Sequence, residues 1–185
     1  MKMKTVCGVE YLIDDAFYHL IRNLRCFSTK HGYIYAKVEK KSVFIHNLIL
    51  QHEPTKYSVC DHINTNPSDN RVSNLRITSK SINSLNKPKN NYKFKPSSKF
   101  KGVSKDKKCH QERWRAYLSY NRKTKYLGTY ETDVEAALAY NAYALKNIKE
   151  KIVLNEIEGV DYDFFIPFSF TTSGRNVISS KHTQR

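Results

Sequence analysis

Three side chains in the middle of the chain have the chemistry needed to cleave a phosphodiester bond. Asp61 and His62 are neighbours in segment 60–64, and Asn83 follows beyond a polar loop. A carboxylate and an amide oxygen are hard ligands that suit Mg²⁺ or Mn²⁺, with water and phosphate oxygens completing the shell. A neutral histidine beside them can take a proton from water. The sequence therefore predicts Asp61 and Asn83 as metal ligands and His62 as the general base.

The four cysteines raise the alternative of a zinc site. Cys7, Cys26, Cys60 and Cys109 are far apart and form no C-x-x-C pair. Cys60 lies close to His62, but a tetrahedral zinc site needs more ligands at regular spacing. The pattern therefore favours free thiols over a zinc centre or a disulfide framework.

The residues around Asp61 predict two short strands, a polar loop between them and a helix after them. Residues 57–60 lead in as a strand, and 64–74 are rich in the residue types that make turns. Residues 75–78 form a second strand, after which Thr78 or Ser79 can cap a helix. We expect this metal motif to bring the carboxylate, the histidine and the amide close together.

The first fifty residues predict further elements around the motif. Residues 14–21 begin with paired acids and have apolar residues at helical spacing. Residues 32–38 alternate as a strand does, and 43–50 predict a strand that runs into a helix. With the metal motif at 57–86, these elements are expected to form a nuclease domain of residues 1–88.

The composition changes after residue 88. Residues 89–98 are rich in Lys, Asn and Pro and predict a basic linker, whereas 158–185 predict a tail that is partly disordered. Residues 99–157 predict a second domain, with a capping box at Thr132 and Glu135 to start its helix. Its three strands are predicted at 100–105, 113–121 and 125–130. The whole chain is thus expected to be α+β, with a small three-stranded antiparallel sheet packed on one helix in its second domain.

The charge of the chain predicts a polyanionic partner. The formal net charge is +15, and the most one-sidedly basic stretch, 87–125, contains only the acids Asp106 and Glu112. Double-stranded DNA is the partner that such a balance most often serves. No apolar run approaches the roughly 20 residues of a membrane span, and residues 1–5 lack a signal-peptide core. We therefore expect an intracellular protein in the host cytoplasm or nucleus, neither secreted nor membrane-bound.

Four short motifs within residues 43–86 carry a family resemblance. They are I-H-N-L at 45–48, V-C-D-H-I-N at 59–64, N-R-V-S-N-L-R at 70–76 and I-N at 82–83. The motifs resemble the HNH homing-endonuclease family, which has a ββα-metal fold. The resemblance implies the same roles for Asp61, His62 and Asn83 as their chemistry does.

The resemblance also implies roles for residues whose chemistry alone is unspecific. Asn74 matches the central asparagine, whose side chain braces the loop between the two strands. His46 matches a histidine before the motif, and we interpret it as an orienting or packing residue within the catalytic set of His62, Asn74 and His46. Asn70 is interpreted as a turn residue. Ile77 departs from the family, in which many members have tryptophan.

The second half carries a resemblance of its own. Its motifs are F-K-G-V at 100–103, W-R-A-Y-L at 114–118, Y-L-G-T-Y at 126–130, E-A-A-L-A-Y at 135–140 and Asn155. They resemble the APETALA/ethylene-response-factor DNA-binding domain. In that family the sheet enters the major groove and the helix packs behind it, which is a known docking mode for sheets.

Strand alternation and this resemblance together predict the DNA-binding face. Alternation directs Arg115, Tyr117 and Ser119 towards DNA. The full predicted set of DNA-binding residues is Lys101, Ser104, Lys105, Arg115, Tyr117, Ser119, Lys125 and Tyr126. Ser104 stands where relatives often have arginine, so base selectivity is expected to be weaker or different.

Taken together, the sequence predicts a metal-dependent HNH endonuclease that hydrolyses duplex DNA and needs no small-molecule cofactor. A homing or mobile-element enzyme of a virus or phage is the expected setting. A monomer with one active site would nick a single strand. Two alternatives stay open. One is a non-catalytic, sequence-specific DNA-binding regulator that has kept an HNH shell, and the other is an RNA-directed nuclease.

Overall fold

The computed structural model describes residues 1–89, 96–107 and 111–160. These residues form an α+β fold of small antiparallel sheets and short helices, as predicted. Cys109, most of the predicted linker 89–98 and most of the predicted tail 158–185 lie outside the described residues. No helix in the described ranges has the length and hydrophobicity of a membrane span.

Five strands and two short helices make up the N-terminal part. In chain order they are β1 (Lys2–Lys4), β2 (Glu10–Leu12), α1 (Tyr18–Ile21), β3 (Cys26–Ser28), β4 (Ile34–Val38), β5 (Lys41–Phe44) and α2 (Ile45–Ile49). Strand β1 pairs with β2, and β3, β4 and β5 form an antiparallel sheet in that order. The helix predicted at 14–21 is α-helical only in its second half, because Asp15–Phe17 form a 3-10 turn.

The metal motif folds as two strands and a helix. Strand β6 (Ser58–His62) pairs antiparallel with β7 (Leu75–Ser79), and α3 (Lys80–Leu85) follows at once. The Ser79 hydroxyl accepts a hydrogen bond of 3.2 Å from the amide of Ile82, so Ser79 is the helix cap. The motif has the element order that its sequence predicts.

The second half has the predicted three strands and one helix. Strands β8 (Val103–Lys105), β9 (Trp114–Tyr120) and β10 (Lys123–Tyr130) form a sheet in the order β10-β9-β8. Helix α4 (Asp133–Asn147) begins at the predicted capping box. It covers the face of the sheet on which the small and apolar residues of β9 are buried.

Helix α3 packs on the second half of the chain. Its apolar residues Ile82 and Leu85 are buried in one cluster with Leu118 of β9 and Tyr140 and Ala144 of α4. A separate core lies beneath the N-terminal sheet. The predicted domain boundary at residue 88 therefore lies just after a helix whose apolar face belongs to the core of the following half.

Candidate active site

A surface cavity of about 400 Å³ contains the three residues on which the sequence prediction rests. Asp61 and His62 reach it from the end of β6, and Asn83 reaches it from the first turns of α3. Tyr33 and Lys87 also line it. The cavity therefore combines a carboxylate, an imidazole, an amide and a basic residue at its edge.

Asp61 is 5 % exposed and is held by two partners. Arg76, its cross-strand neighbour on β7, donates to Oδ2 from Nε at 3.0 Å and from Nη2 at 2.7 Å. Asn86 donates to Oδ2 at 3.1 Å and lies 3.3 Å from Oδ1. A buried carboxylate needs such partners, because desolvation of the charge is costly. Oδ1 accepts only the longer of these bonds, so it has the greater capacity to bind a cation.

Asn86 is a site residue that the sequence analysis missed. It is 2 % exposed, and its Nδ2 also donates to the carbonyl of His62 at 2.9 Å. Asn86 is the C-cap residue of α3 and lies three positions after Asn83. Residues at that spacing share a helix face, and this signal could have identified it.

His62 is buried, and its environment keeps the imidazole uncharged. Burial is the main cause that lowers the pKa of His62 below its ordinary value of 6.5, and it outweighs the opposing effects of Asn70 and Asp61. The ring makes edge contacts with Tyr33 and His46, at centroid distances of 5.8 and 5.1 Å. A neutral imidazole beside a carboxylate is the state that a general base requires.

Asn70 was interpreted as a turn residue, but the structure gives it a further role. It is fully buried, and its Oδ1 lies 3.4 Å from Nε2 of His62. When Nε2 donates this long hydrogen bond, the proton resides on Nε2 and Nδ1 keeps the lone pair. Asn70 therefore helps to select the tautomer of His62.

Asn74 makes the contacts expected of a loop brace. Its Oδ1 accepts from the amide of Asn64 at 2.9 Å, and its Nδ2 donates to the carbonyl of Asp69 at 2.7 Å. Its own carbonyl accepts from the amide of Ile63. These bonds join both ends of the loop between β6 and β7, and Asn74 does not line the cavity.

We therefore expect Asn74→Ala to act through the fold. The buried carbonyl of Asp69 would lose its partner at a cost of about 1–3 kcal/mol, and the part-buried amide of Asn64 would lose its partner as well. Urea unfolding should show lower stability, and cleavage should fall with the fraction of folded protein. A variant that is inactive yet as stable as the wild type would contradict the bracing role and place Asn74 in the chemistry.

His46 lies behind the ring of His62. It is 7 % exposed and stacks on Phe44, with ring centroids 5.2 Å apart. Burial, with a smaller effect of His62, lowers the pKa of His46 to about 3. Among the described residues nothing forms a hydrogen bond with its Nδ1. His46 does not line the cavity, which agrees with packing behind His62.

Residues 43–85 match the model described as HNH endonuclease. The match supports a nuclease. It spans β6, β7 and α3 and so includes the cavity residues Asp61, His62 and Asn83. No curated protein and no solved structure matches the chain.

The donor atoms of the matched segment suit a hard cation. Within the described ranges there is no cluster of three or more histidine, cysteine, aspartate or glutamate side chains that could hold a metal. The predicted oxygen donors, the Asp61 carboxylate and the Asn83 amide, are among the groups that line the cavity. Mg²⁺ and Mn²⁺ accept such a sparse oxygen set because water and phosphate oxygens complete their shells.

Five of the eight predicted DNA-binding residues share one face of the second sheet. Cross-strand neighbours lie on the same face. The register pairs Arg115 with Ser104, Tyr126 with Tyr117 and Thr124 with Ser119. The rings of Tyr117 and Tyr126 lie 5.3 Å apart. We call this set the outer face; its members are Ser104, Arg115, Tyr117, Ser119 and Tyr126.

The three predicted lysines do not lie on the outer face. Lys125 pairs with buried Leu118, and Lys105 pairs with Trp114, so both belong to the side that packs on α4. Lys105 is further joined to Glu112 by an ion pair of 2.8 Å. Lys105 and Lys125 are exposed on the two edge strands of the sheet. Neither lies on the same face as Tyr117.

Lys101 points into the protein. Its Nζ donates to the carbonyl oxygens of Leu85, of Lys87 at 2.9 Å and of Val153 at 3.1 Å. Burial lowers the pKa of Lys101 to about 8. The three bonds occupy the donors of the ammonium group, so this position gives no support to the predicted contact with DNA.

Proposed function

We propose that the protein is a metal-dependent endonuclease that hydrolyses phosphodiester bonds in duplex DNA. The proposal rests on one observation above all: Asp61, His62 and Asn83 line the same cavity. Burial lowers the pKa of His62, which favours the neutral imidazole that a base requires. The match of residues 43–85 to HNH endonucleases agrees with it.

In this proposal each residue of the cavity has a separate role. His62 takes a proton from the attacking water, with Asn70 fixing the tautomer that leaves one ring nitrogen free. Asp61 and Asn83 would hold Mg²⁺ or Mn²⁺, and Asn86 and Arg76 keep the carboxylate in place. When bound, a divalent cation supplies positive charge that stabilises the phosphate and the leaving oxygen.

Duplex DNA is proposed as the substrate because of the outer face and the net charge of +15. The outer face presents Tyr117 and Tyr126 with Arg115 beside them, and aromatic and arginine side chains are frequent anchors of binding. A homing or mobile-element role is part of the proposal. A monomer would cut one strand, because we propose one such centre among the residues that the structure describes.

The substrate class can be tested with matched nucleic acids. Labelled duplex DNA, single-stranded DNA and RNA of one sequence are incubated with the protein and Mg²⁺. Cleavage of the duplex should be the fastest, and supercoiled plasmid should become nicked before any linear form appears. Preferential cleavage of RNA would overturn the proposed substrate.

A non-catalytic DNA-binding regulator is the second candidate. The observation that favours it is the ion pair of Arg76 with Asp61, because the guanidinium occupies one of the carboxylate oxygens that a cation would use. A regulator would shift duplex DNA in a gel and leave it intact at every concentration of Mg²⁺ or Mn²⁺.

We predict that Tyr126→Ala weakens DNA binding without changing the rate at saturating DNA. Tyr126 is 50 % exposed on the outer face, so its loss removes contact area and leaves the core intact. The expected cost is about 1–2 kcal/mol, a factor of roughly 5–30 in affinity. Tyr18→Ala is the matched control, because Tyr18 is also exposed but lies on α1. Equal affinities of the two variants, measured by fluorescence anisotropy, would exclude the outer face as the anchor.

A further inference from the structure

The ammonium group of Lys101 lies at the C-terminal end of α3. Two of its three acceptors, the carbonyls of Leu85 and Lys87, belong to this end of the helix. Helix C-termini leave carbonyl groups without intrahelical partners, and a lysine side chain is a suitable donor for them. Lys101 thereby connects the last residues of the HNH motif to the second half of the chain.

The backbone of Lys101 is fixed to α4. Its amide donates to Oδ1 of Asn155 at 2.6 Å, and its carbonyl accepts from Nδ2 of Asn155 at 3.0 Å. Asn155 in turn exchanges two hydrogen bonds with Asn141, which is fully buried in α4. Lys101 is therefore attached to the sheet-and-helix half by both of its backbone groups.

Gly102, the residue after Lys101, further restricts the backbone at Lys101. Gly102 has a φ of +73°, and a Cβ there would collide with the carbonyl of Tyr117 and the ring of Tyr140. The chain can approach the sheet and α4 this closely only with glycine. The backbone position from which the Lys101 side chain extends is thus fixed by the core of the second half.

Asn86 lies between the two helix-end residues that Lys101 binds. Its side chain donates to Asp61 and to the carbonyl of His62. The orientation of the Asn86 side chain depends on the path of the backbone from Leu85 to Lys87. That path is fixed by Lys101 on one side and by burial of Leu85 on the other.

We propose that Lys101 is a positioning residue of the nuclease centre: by binding the carbonyls of Leu85 and Lys87, it holds Asn86 where its amide orients Asp61. The inference rests on the proposed function for its catalytic consequence, but not for its structural content. By this proposal the second half of the chain helps to shape the cavity, in addition to its proposed role in binding DNA.

The full-length chain allows a direct test with three variants. Lys101→Met keeps the apolar stem and removes the donors, and Lys101→Arg keeps a charged donor. Lys146→Met is the matched control, because Lys146 is exposed on α4 and takes no part in the site. The first readout is the NMR signal of the Asn86 side-chain amide, with hydrogen exchange of the Asn86 backbone amide, which donates to the carbonyl of Ile82. The second readout is kcat and KM for duplex cleavage with Mg²⁺.

In Lys101→Met, the Asn86 side-chain signal should shift and the Asn86 backbone amide should exchange at least 10-fold faster, while amides of β4 keep their wild-type rates. The value of kcat should fall about 10-fold with KM nearly unchanged, because a small misplacement of a reacting group is costly. Lys101→Arg should restore part of both effects, and Lys146→Met should match the wild type.

Two outcomes would overturn the proposal. An unshifted Asn86 signal in folded Lys101→Met would show that the helix end does not depend on Lys101. A loss of kcat that Lys101→Arg does not relieve, with uniformly faster exchange throughout the chain, would reduce Lys101 to a general stabiliser. If wild-type protein cuts nothing, the proposed function fails, whereas the NMR and exchange readouts still decide whether Lys101 positions Asn86. If Lys101→Met does not fold, the same readouts are taken on Lys101→Gln.

Discussion

His62→Ala should reduce cleavage of duplex DNA by about 10²- to 10⁴-fold, the usual contribution of a general base. Binding of DNA should change little, because His62 is 5 % exposed and has little surface to offer a ligand. The measurements are single-turnover nicking of plasmid and a binding isotherm on the same DNA.

His19→Ala is the control for His62→Ala. His19 is exposed on α1, away from the cavity, and its Nδ1 lies 2.8 Å from the carbonyl of Ala16. It should cut at the wild-type rate. Normal turnover by His62→Ala would remove His62 from the role of base, whatever the control does.

Asp61→Asn should abolish cleavage and also destabilise the protein. The substitution removes the charge for a cation and leaves Arg76, whose side chain is only 16 % exposed, without its ionic partner. Breaking a buried ion pair from one side typically costs about 3–5 kcal/mol. Urea unfolding and plasmid nicking measure the two effects on one preparation.

A double variant separates these two effects. Asp61→Asn with Arg76→Leu leaves no unpaired charge, so much of the lost stability should return while cleavage stays absent. If the double variant regained activity along with stability, Asp61 would serve the fold alone, and the proposed metal site would be wrong.

Asp61, His62 and Asn83 could be proposed from the sequence because short local motifs indicate where each of them lies. Asp61 and His62 adjoin on a short strand, and the cap at Ser79 fixes where α3 begins and so where Asn83 lies. The partners of Asp61 could not be predicted in the same way. Arg76 reaches it through the pairing register of β6 with β7, and Asn86 through the last turn of α3. The pairing register is not specified by residue types alone, whereas the position of Asn86 three residues after Asn83 was a usable signal.

The outer face, too, could be predicted only where local sequence pattern was sufficient. Alternation along β9 was sufficient to group Arg115, Tyr117 and Ser119. It could not locate Lys125, because that depends on how β10 pairs with β9, and the register places Lys125 opposite Leu118. Positive charge suggested contact with phosphate, but it did not reveal which face the strand presents.

Lys101 and the end of α3 are joined by contacts that the sequence analysis did not predict. The polar stretch 89–98 suggested that the chain could be divided near residue 88. Ile82 and Leu85 are buried against Leu118, so the helix before this stretch packs on the core of the following half. A fragment that ends at residue 88 would expose these two side chains and lose the Lys101 contacts. The last helix of the matched segment therefore packs on a distant part of the sequence.

The metal dependence of plasmid nicking tests the central claim most directly. Wild-type protein freed of metal with EDTA is mixed with supercoiled plasmid, and Mg²⁺ or Mn²⁺ is then added back in steps. His62→Ala, prepared in parallel, controls for contaminating nucleases. We predict no nicking in EDTA, recovery with either cation in the wild type, and none in His62→Ala. Nicking at full speed in EDTA, or equal nicking by both proteins, would contradict the account.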